Sequence, residues 1–341
     1  MKNNIIQITP LGFPWETQDP FLFCAYHKDA YPAGNGEMGV SSNDLKGRRI
    51  GQDFVVKDGF RMYHGREVPG FPYHPHRGFE TITINKQGAV DHSDSLGAAG
   101  RFMEGDVQWM TAGKGIQHSE MFPLLNDEKP NDLEIFQVWL NLPKVNKFVE
   151  PHFKMLWKEE VPIIKETNEK GSTVTVDLIA GNLGEQKAAK PTPDSWAANA
   201  DNHVRVLTVK LESNTKWTLP ATDAAANRNV YFYTGDKLTI DGLLIEKDHQ
   251  ITLKSDVDVV LENKSQEAAY LLVLEGKPIG EPIAQHGPFV MNTFEEIQQA
   301  IADYQRTQFG GWPWKEREKT HAADKGRFAL HADGTEETKT K

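Results

Sequence analysis

Residues 74–84 read His-Pro-His-Arg-Gly-Phe-Glu-Thr-Ile-Thr-Ile, two histidines that run directly into a stretch of alternating polar and apolar residues. Alternation with a period of two is typical of a half-buried β-strand. Side chains two residues apart in a strand point to the same face, so His74 and His76 are expected to project together. Pro75 lacks a backbone N–H, which favours the start or the edge of a strand here.

A second cluster of metal-competent side chains lies at residues 118–120, which read His-Ser-Glu. His118 and Glu120 share a face by the same rule, and Gly113 and Gly115 allow a tight turn before them. Two such clusters on neighbouring strands predict a site of three imidazoles and one carboxylate. This donor set suits a divalent first-row metal, leaves positions open for a substrate or dioxygen, and does not select among Mn, Fe, Co, Ni, Cu and Zn.

The carboxylate ligand has two candidates, Glu80 and Glu120. Glu80 is four residues from His76, about 13 Å along an extended strand, so the two can share an ion only if the chain bends at Gly78. Glu120 is only two residues from His118, about 7 Å, which suits convergence on one ion. Strand geometry therefore favours Glu120 as the ligand.

Four further side chains are candidates to surround the metal or to line its pocket. Glu80 is the first, and Gln108, which precedes the second cluster, is expected to face the pocket. His92 lies in a loop-like polar segment, where a pocket-mouth residue and a plain surface histidine are equally good interpretations. His27 is a candidate to support the ligands from behind.

Short apolar runs separated by turn residues recur along the chain, which favours an all-β fold of the sandwich or barrel type. They form two β-rich halves of similar size, which suggests duplication of one barrel, and residues 143–172 are interpreted as a connecting arm. The histidines of the second half form no His-x-His pair, so no metal site is predicted there. The predicted strands include 80–85, 106–111, 133–142, 172–180, 203–212, 230–234, 237–240, 251–253, 257–261 and 269–275.

A helix is predicted over residues 293–304, with Asn292 or Thr293 as its N-cap. Its apolar side chains, Phe294, Ile297, Ile301 and Tyr304, fall on one face. Residues 311–341 form a charged tail, whose tryptophans at 312 and 314 are expected to dock on the protein.

The composition excludes several classes of protein. The chain has 341 residues and a formal net charge of −10, which argues against direct binding to nucleic acid or to an anionic membrane. Its one cysteine, Cys24, lies in an apolar run and is expected to be buried, and one cysteine cannot form an intramolecular disulfide. Residues 1–7 lack the apolar core of a secretory signal and no stretch is long enough to span a bilayer, so a cytoplasmic location is expected. No dinucleotide, P-loop or serine-hydrolase motif occurs.

The stretches 74–81 and 105–120 together resemble the pirin family of the cupin superfamily, and the resemblance continues through 276–282 and 287–293. It implies two tandem cupin-type β-barrels, each a jelly roll or double-stranded β-helix. The implied domains are an N-terminal metal-binding barrel (1–150), a C-terminal barrel without a metal site that carries the helix (151–310), and the tail (311–341).

The same resemblance implies one Fe(II) ion held by His74, His76, His118 and Glu120. It also implies quercetin 2,3-dioxygenase activity on a flavonol with dioxygen, in which Glu120 takes the proton of the flavonol hydroxyl. Other pirins are described as redox-responsive regulators, so the alternative is a non-enzymatic iron protein that docks a protein partner.

Overall fold

The computed structural model describes residues 4–339; residues 1–3 of the predicted N-terminal stretch and residues 340–341 of the predicted tail lie outside it. The all-β prediction is confirmed. The first ten strands are β1 (Ile5–Pro10), β2 (Phe21–Tyr31), β3 (Gly70–His76), β4 (Phe79–Gln87), β5 (Ala89–Asp94), β6 (Ala99–Met103), β7 (Val107–Thr111), β8 (Ile116–Met121), β9 (Asn131–Asn141) and β10 (His152–Leu156). The remaining elements are β11 (Ile163–Thr167), β12 (Thr173–Ala180), β13 (Asn182–Leu183), β14 (Gln186–Lys187), β15 (Arg205–Leu211), β16 (Thr215–Leu219), β17 (Asn227–Thr234), β18 (Lys237–Ile240), β19 (Leu243–Glu246), β20 (His249–Leu253), β21 (Val259–Asn263), β22 (Ala269–Gly276), β23 (Ala284–His286), β24 (Phe289–Met291), the helix α1 (Phe294–Thr307), β25 (Arg327–Leu330) and β26 (Glu336–Lys339).

The described chain divides into two compact units. The N-terminal barrel unit consists of Ala25–Lys158 and residues 281–339, and the C-terminal barrel unit consists of residues 4–24 and Glu159–Gly280. This division differs from the predicted boundaries after residues 150 and 310. The reason is long-range pairing: β1 pairs with β20 in the C-terminal barrel unit, whereas β25 pairs with β6 in the N-terminal barrel unit.

Two larger sheets form most of the N-terminal barrel unit, one of five strands in the order β10-β7-β4-β9-β2 and one of six in the order β26-β25-β6-β5-β8-β3. The interpretation of residues 143–172 as a connecting arm is wrong. This segment supplies β10, which pairs with β7, and β11, which pairs with β12 in the C-terminal barrel unit.

The C-terminal barrel unit has a seven-stranded sheet, β1-β20-β17-β22-β15-β12-β11, and a four-stranded sheet, β16-β21-β18-β19. Their inner faces form a continuous apolar core. Each fully buried aliphatic or aromatic side chain in such a core contributes about 1.5–3 kcal/mol to stability. The core includes Val176, Leu178, Leu207, Val209, Trp217, Val230, Phe232, Ile251, Leu261, Leu271 and Val273.

The helix α1 belongs to the N-terminal barrel unit and runs three residues past its predicted end. Thr293 is the N-cap and forms a capping box with Glu296, which satisfies backbone N–H groups at the start of the helix. Ile297 and Ala300 are buried, whereas Phe294, the first residue of the predicted apolar face, is 66% exposed. No helix among residues 4–339 has the length and apolar character needed to cross a membrane.

We call residues 311–339 the C-terminal segment. As predicted, its tryptophans dock: Trp312 stacks on Tyr73 with ring centroids 5.0 Å apart, and the Trp314 indole donates to the Asp94 carbonyl at 2.8 Å. Buried Arg101 donates to backbone carbonyls of this segment, including that of Lys325 at 2.7 Å. The segment is therefore a packed part of the N-terminal barrel unit rather than a loose tail.

Candidate metal centre

Strands β3 and β8 bring three of the predicted ligands together. His74 and His118 are directly opposed in the antiparallel pair, and His76 lies two residues along on the same face. One nitrogen of each ring lies within 4.8 Å of the others. The ring centroids are 4.6–4.8 Å apart, with His76 and His118 buried and His74 half-buried. The His-x-His spacing thus places the rings as strand periodicity predicts.

All three imidazoles are held in the neutral form that binds metals. Burial lowers the pKa of His74 to about 4, although the hydrogen bond to the Pro72 carbonyl raises this pKa in part. Burial also lowers the pKa of His76 and of His118 well below the ordinary histidine value. The His74 Nδ1 faces the Pro72 carbonyl oxygen at 2.9 Å, which makes Nδ1 the donor and leaves the lone pair on Nε2.

The unsatisfied nitrogens of this cluster fit a bound metal ion. Neither ring nitrogen of fully buried His118 has a hydrogen-bond partner among the described residues, and His76 Nδ1 is likewise without one. An unpaired buried polar atom costs about 1–3 kcal/mol, so such atoms need a reason. Coordination of a divalent first-row metal by neutral imidazole would supply the missing partner.

Glu120 lies beside the histidines, with its Oε2 3.9 Å from His118 Nε2. Its two oxygens have separate donors: the Thr83 hydroxyl donates to Oε1 at 2.9 Å, and the Gln137 amide donates to Oε2. Burial raises the pKa of Glu120, while the nearby His92 and these two hydrogen bonds act in the opposite direction. The carboxylate is therefore buried, oriented and adjacent to the three rings.

A row of polar side chains crosses the five-stranded sheet beneath Glu120. Thr83 on β4 is flanked by Gln137 on β9 and by Gln108 on β7. Directly opposed residues share a face, so Gln108 lies on the same face as Thr83. It is fully buried, and neither polar atom of its amide has a partner within the part of the chain that the structure describes.

The interpretation of His92 as a loop or surface residue is wrong. It lies on β5, is fully buried and is directly opposite Glu120. Its ring centroid is 5.5 Å from that of His118, and its Nε2 is 3.2 Å from Asp94 Oδ2. His92 therefore lies next to the candidate ligands, and Asp94 orients it.

The other two candidates lie away from the ligand cluster. Glu80 accepts a hydrogen bond from the Thr111 hydroxyl at 2.6 Å, and its odd spacing from Thr83 places it on the opposite face of β4. His27 is buried, with Nδ1 2.8 Å from the Tyr63 hydroxyl oxygen. It packs edge-on against Phe71, whose ring contacts His74. His27 thus supports the wall behind that ligand.

A cavity of about 730 Å³ reaches the candidate centre at His74. One wall comes from the β3 residues Phe71, Pro72 and Tyr73, which are mainly apolar. The rest of the lining comes from a loop and from the C-terminal segment: Gly51, His64, Arg66, Glu316, Arg317 and Glu318.

Sequence reasoning missed Thr83, Gln137 and the cavity residues of the C-terminal segment. A signal for Thr83 was present, since Thr81 and Thr83 alternate with Ile82 and Ile84 and put hydroxyls on one face of a buried strand. No local pattern identifies Arg317 as a cavity residue, because only long-range packing places it there.

The fold and the site define a two-barrel cupin protein with a histidine cluster, suited to a metal ion, in the N-terminal barrel unit. Residues 37–140 match the Pirin family and residues 206–310 match the Pirin C-terminal cupin domain. Mouse pirin is 37% identical over 257 residues, which cover 74% of this chain and 81% of the mouse protein. This chain belongs to the pirin family.

Two further similarities concern proteins named as quercetin dioxygenases. A Pseudomonas aeruginosa protein named "Putative quercetin 2,3-dioxygenase PA3240" is 37% identical over 259 residues, covering 74% of this chain and 84% of that protein. A solved structure of quercetin 2,3-dioxygenase from Acinetobacter baumannii is 28% identical with a TM-score of 0.69, covering 90% of this chain and 98% of that one.

Proposed function

We propose that this pirin is a quercetin 2,3-dioxygenase-type enzyme, which opens a flavonol with dioxygen at a single Fe(II) ion. The proposed ligands are His74, His76, His118 and Glu120. The observation that carries the proposal is the cavity of about 730 Å³ that His74 lines. Binding pockets for small molecules commonly have volumes of several hundred Å³, whereas an ion that only stabilises the fold needs no such access.

One wall of this cavity suits the proposed substrate. Phe71, Pro72 and Tyr73 offer mainly apolar and aromatic surface to a planar flavonol. The similarity to two proteins named as quercetin 2,3-dioxygenases supports the same substrate class.

Bound Fe(II) would supply Lewis-acid and one-electron chemistry, which acidifies a flavonol hydroxyl and permits reaction with dioxygen. The protein's own contribution begins with Glu120, whose carboxylate takes the hydroxyl proton. Burial raises the pKa of Glu120, which makes it a stronger base than an exposed carboxylate. Thr83 and Gln137 hold it in place.

The test is metal analysis followed by turnover. We expect about one iron per chain in protein from its native host, binding of quercetin without oxygen, and loss of quercetin with release of carbon monoxide when oxygen is admitted. His118→Asn should abolish both metal binding and turnover. His249→Gln, which changes a histidine on β20 of the C-terminal barrel unit, should leave both intact. Fully iron-loaded protein that binds quercetin but never consumes it would disprove the dioxygenase proposal.

The alternative function, an iron-dependent regulator that docks a protein, is favoured by one feature near the cavity. Val55 and Val56 are 77% and 55% exposed, and the adjacent Phe54 packs against the cavity residues His64 and Phe71. Exposed apolar groups of this kind often mark interaction surfaces. A protein that shows no turnover but binds a partner only in one iron oxidation state, and loses that binding in Val55→Ser, would support this alternative.

A further inference from the structure

Part of the cavity wall lies outside both family domains. The Pirin C-terminal cupin domain match ends at residue 310, whereas Glu316, Arg317 and Glu318 line the cavity that reaches His74. These three residues belong to the C-terminal segment. The pirin fold alone therefore does not account for the chemistry of this side of the cavity.

The cavity-lining part of the segment is held in place by hydrogen bonds and stacking. The Tyr73 backbone N–H, one residue before His74, donates to the Arg317 carbonyl at 3.1 Å. The Arg66 backbone N–H donates to Glu318 Oε2 at 3.1 Å, and the Trp312 indole donates to the Glu316 carbonyl at 2.9 Å. The wall is thus built before any ligand binds, which reduces the entropy cost of binding.

Two positive charges on this wall form no ion pair within the part of the chain that the structure describes. The guanidinium of Arg317 stacks over the Tyr73 ring at 4.9 Å, and neither it nor the Arg66 guanidinium forms an ion pair with any residue between 4 and 339. The two glutamates of the cavity are already engaged, because Glu318 accepts the Arg66 backbone N–H and Glu316 lies 3.9 Å from Lys319. The lining thus holds two arginines and two glutamates, and its hydrogen-bond donors without an acceptor among residues 4–339 are the guanidinium N–H groups of Arg66 and Arg317.

We propose that the C-terminal segment makes this cavity selective for aromatic ligands that carry a negative charge away from the metal centre. Phe71, Pro72 and Tyr73 contact the aromatic rings, and Arg317 and Arg66 bind the anionic substituent, such as a sulfonate or carboxylate. Arginine suits this role because its planar guanidinium forms paired, charge-assisted hydrogen bonds with such groups. This inference takes the aromatic nature of the ligand from the proposed function. It does not require that the protein turns the ligand over.

The experiment compares binding of quercetin and quercetin-5′-sulfonate by calorimetry, on metal-loaded protein without oxygen. We expect the sulfonate to bind more tightly than quercetin. Arg317→Gln should weaken sulfonate binding about tenfold and quercetin binding less than about twofold, which corresponds to one lost charge-assisted contact. Arg66→Gln should act in the same direction. Lys315→Gln, which removes an exposed charge of the same segment that does not line the cavity, should change neither affinity.

Salt provides a second measurement. Raising NaCl from about 0.05 M to about 0.5 M should weaken sulfonate binding to the wild type more than to Arg317→Gln, because screening weakens an exposed charge pair. Three results would overturn the inference. Arg317→Gln could weaken the binding of both ligands equally, it could weaken the binding of neither, or Lys315→Gln could weaken sulfonate binding as much as Arg317→Gln does. Because no step requires oxygen, failure of quercetin turnover with intact charge selectivity would disprove only the dioxygenase proposal.

Discussion

Both carboxylate oxygens of Glu120 have their own donor, Thr83 for one and Gln137 for the other. A carboxylate held in this way has a fixed direction toward the ring nitrogens beside it. Groups that orient metal ligands commonly affect metal affinity or activity by about 10–100-fold. The donors are therefore as much part of the candidate centre as the carboxylate is.

Gln137→Met should lower metal affinity or turnover by about tenfold, because it removes a donor to Glu120 while keeping a similar side-chain volume. Metal titration and steady-state kinetics would measure the two effects. Gln285→Met, at an exposed position on β23, is the matched control and should be silent. A variant that binds metal and turns over substrate like the wild type would show that Gln137 does not position Glu120.

Two buried glutamines provide a second prediction at this scale. Gln108 has an amide without partners, whereas the Gln117 amide donates to the carbonyls of Gln308 and Gly311 and accepts from the Tyr304 hydroxyl. Gln108→Leu should raise the free energy of unfolding by about 1 kcal/mol, since a buried unpaired amide is costly, and should weaken substrate binding. Gln117→Leu should lower the free energy of unfolding by about 2 kcal/mol.

Urea unfolding of both variants, combined with quercetin binding, would test this contrast. If Gln108→Leu destabilises the protein as much as Gln117→Leu does, then Gln108 has no spare hydrogen-bonding capacity to offer a ligand.

At the level of strands, local periodicity predicted what lies within one segment. The alternation through residues 80–85 predicted β4, and the spacing of two residues placed His74 beside His76. Distance along the strand, rather than periodicity, favoured Glu120 over Glu80; Glu120 Oε2 lies 3.9 Å from His118 Nε2, whereas Glu80 accepts from the Thr111 hydroxyl.

Long-range pairing and two-sided burial could not be predicted in this way. Strand β5 reads Ala-Val-Asp-His-Ser-Asp, which resembles a loop, yet all six residues are buried. Two of its polar groups have partners elsewhere in the chain: the Asp91 carboxylate pairs with Arg101, and the backbone carbonyl of His92 accepts from His321 of the C-terminal segment. A sequence window around His92 contains none of these partners.

Lys147 connects two elements near the candidate centre and provides a prediction about pH. Its ammonium group donates to the carbonyls of Gly78 and Val290, in the turn after β3 and in β24, and to Asn141 Oδ1. Burial lowers its pKa to about 8, while Glu281 and Glu296 oppose the decrease.

The folded pKa of Lys147 lies below its unfolded value near 10.5, so folding penalises the charged form. Below pH 8, Lys147 is protonated in both the folded and the unfolded protein, so the penalty is complete. The penalty is relieved as the pH rises from 8 to 10.5. Wild type should therefore gain stability relative to Lys147→Met as the pH rises. Its free energy of unfolding minus that of the variant should increase by about 2 kcal/mol from pH 7.5 to pH 10. Lys315→Met is the control. A difference independent of pH would show that the pKa of Lys147 is not lowered.

At the scale of the whole chain, the two barrel units have different interiors. The C-terminal barrel unit is filled by apolar side chains, whereas the N-terminal barrel unit buries His118, Gln108, Ser119 and other polar groups whose atoms lack partners among the described residues. Each such group lowers stability unless something binds it. We infer that the N-terminal barrel unit gives up folding free energy in order to keep a site ready for its ligands.

Metal removal should therefore lower the stability of the protein measurably. A ligand present at about 100 times its Kd stabilises the folded state by about 2.7 kcal/mol if it does not bind the unfolded chain. Dialysis against a chelator should lower the Tm, and returning Fe(II) anaerobically should restore it. His118→Asn should show neither change, because it lacks a ligand, whereas His249→Gln should behave like the wild type. If chelation leaves the Tm of metal-loaded wild type unchanged, or if His118→Asn responds equally, the ion binds elsewhere and the assignment of the centre to β3 and β8 is wrong.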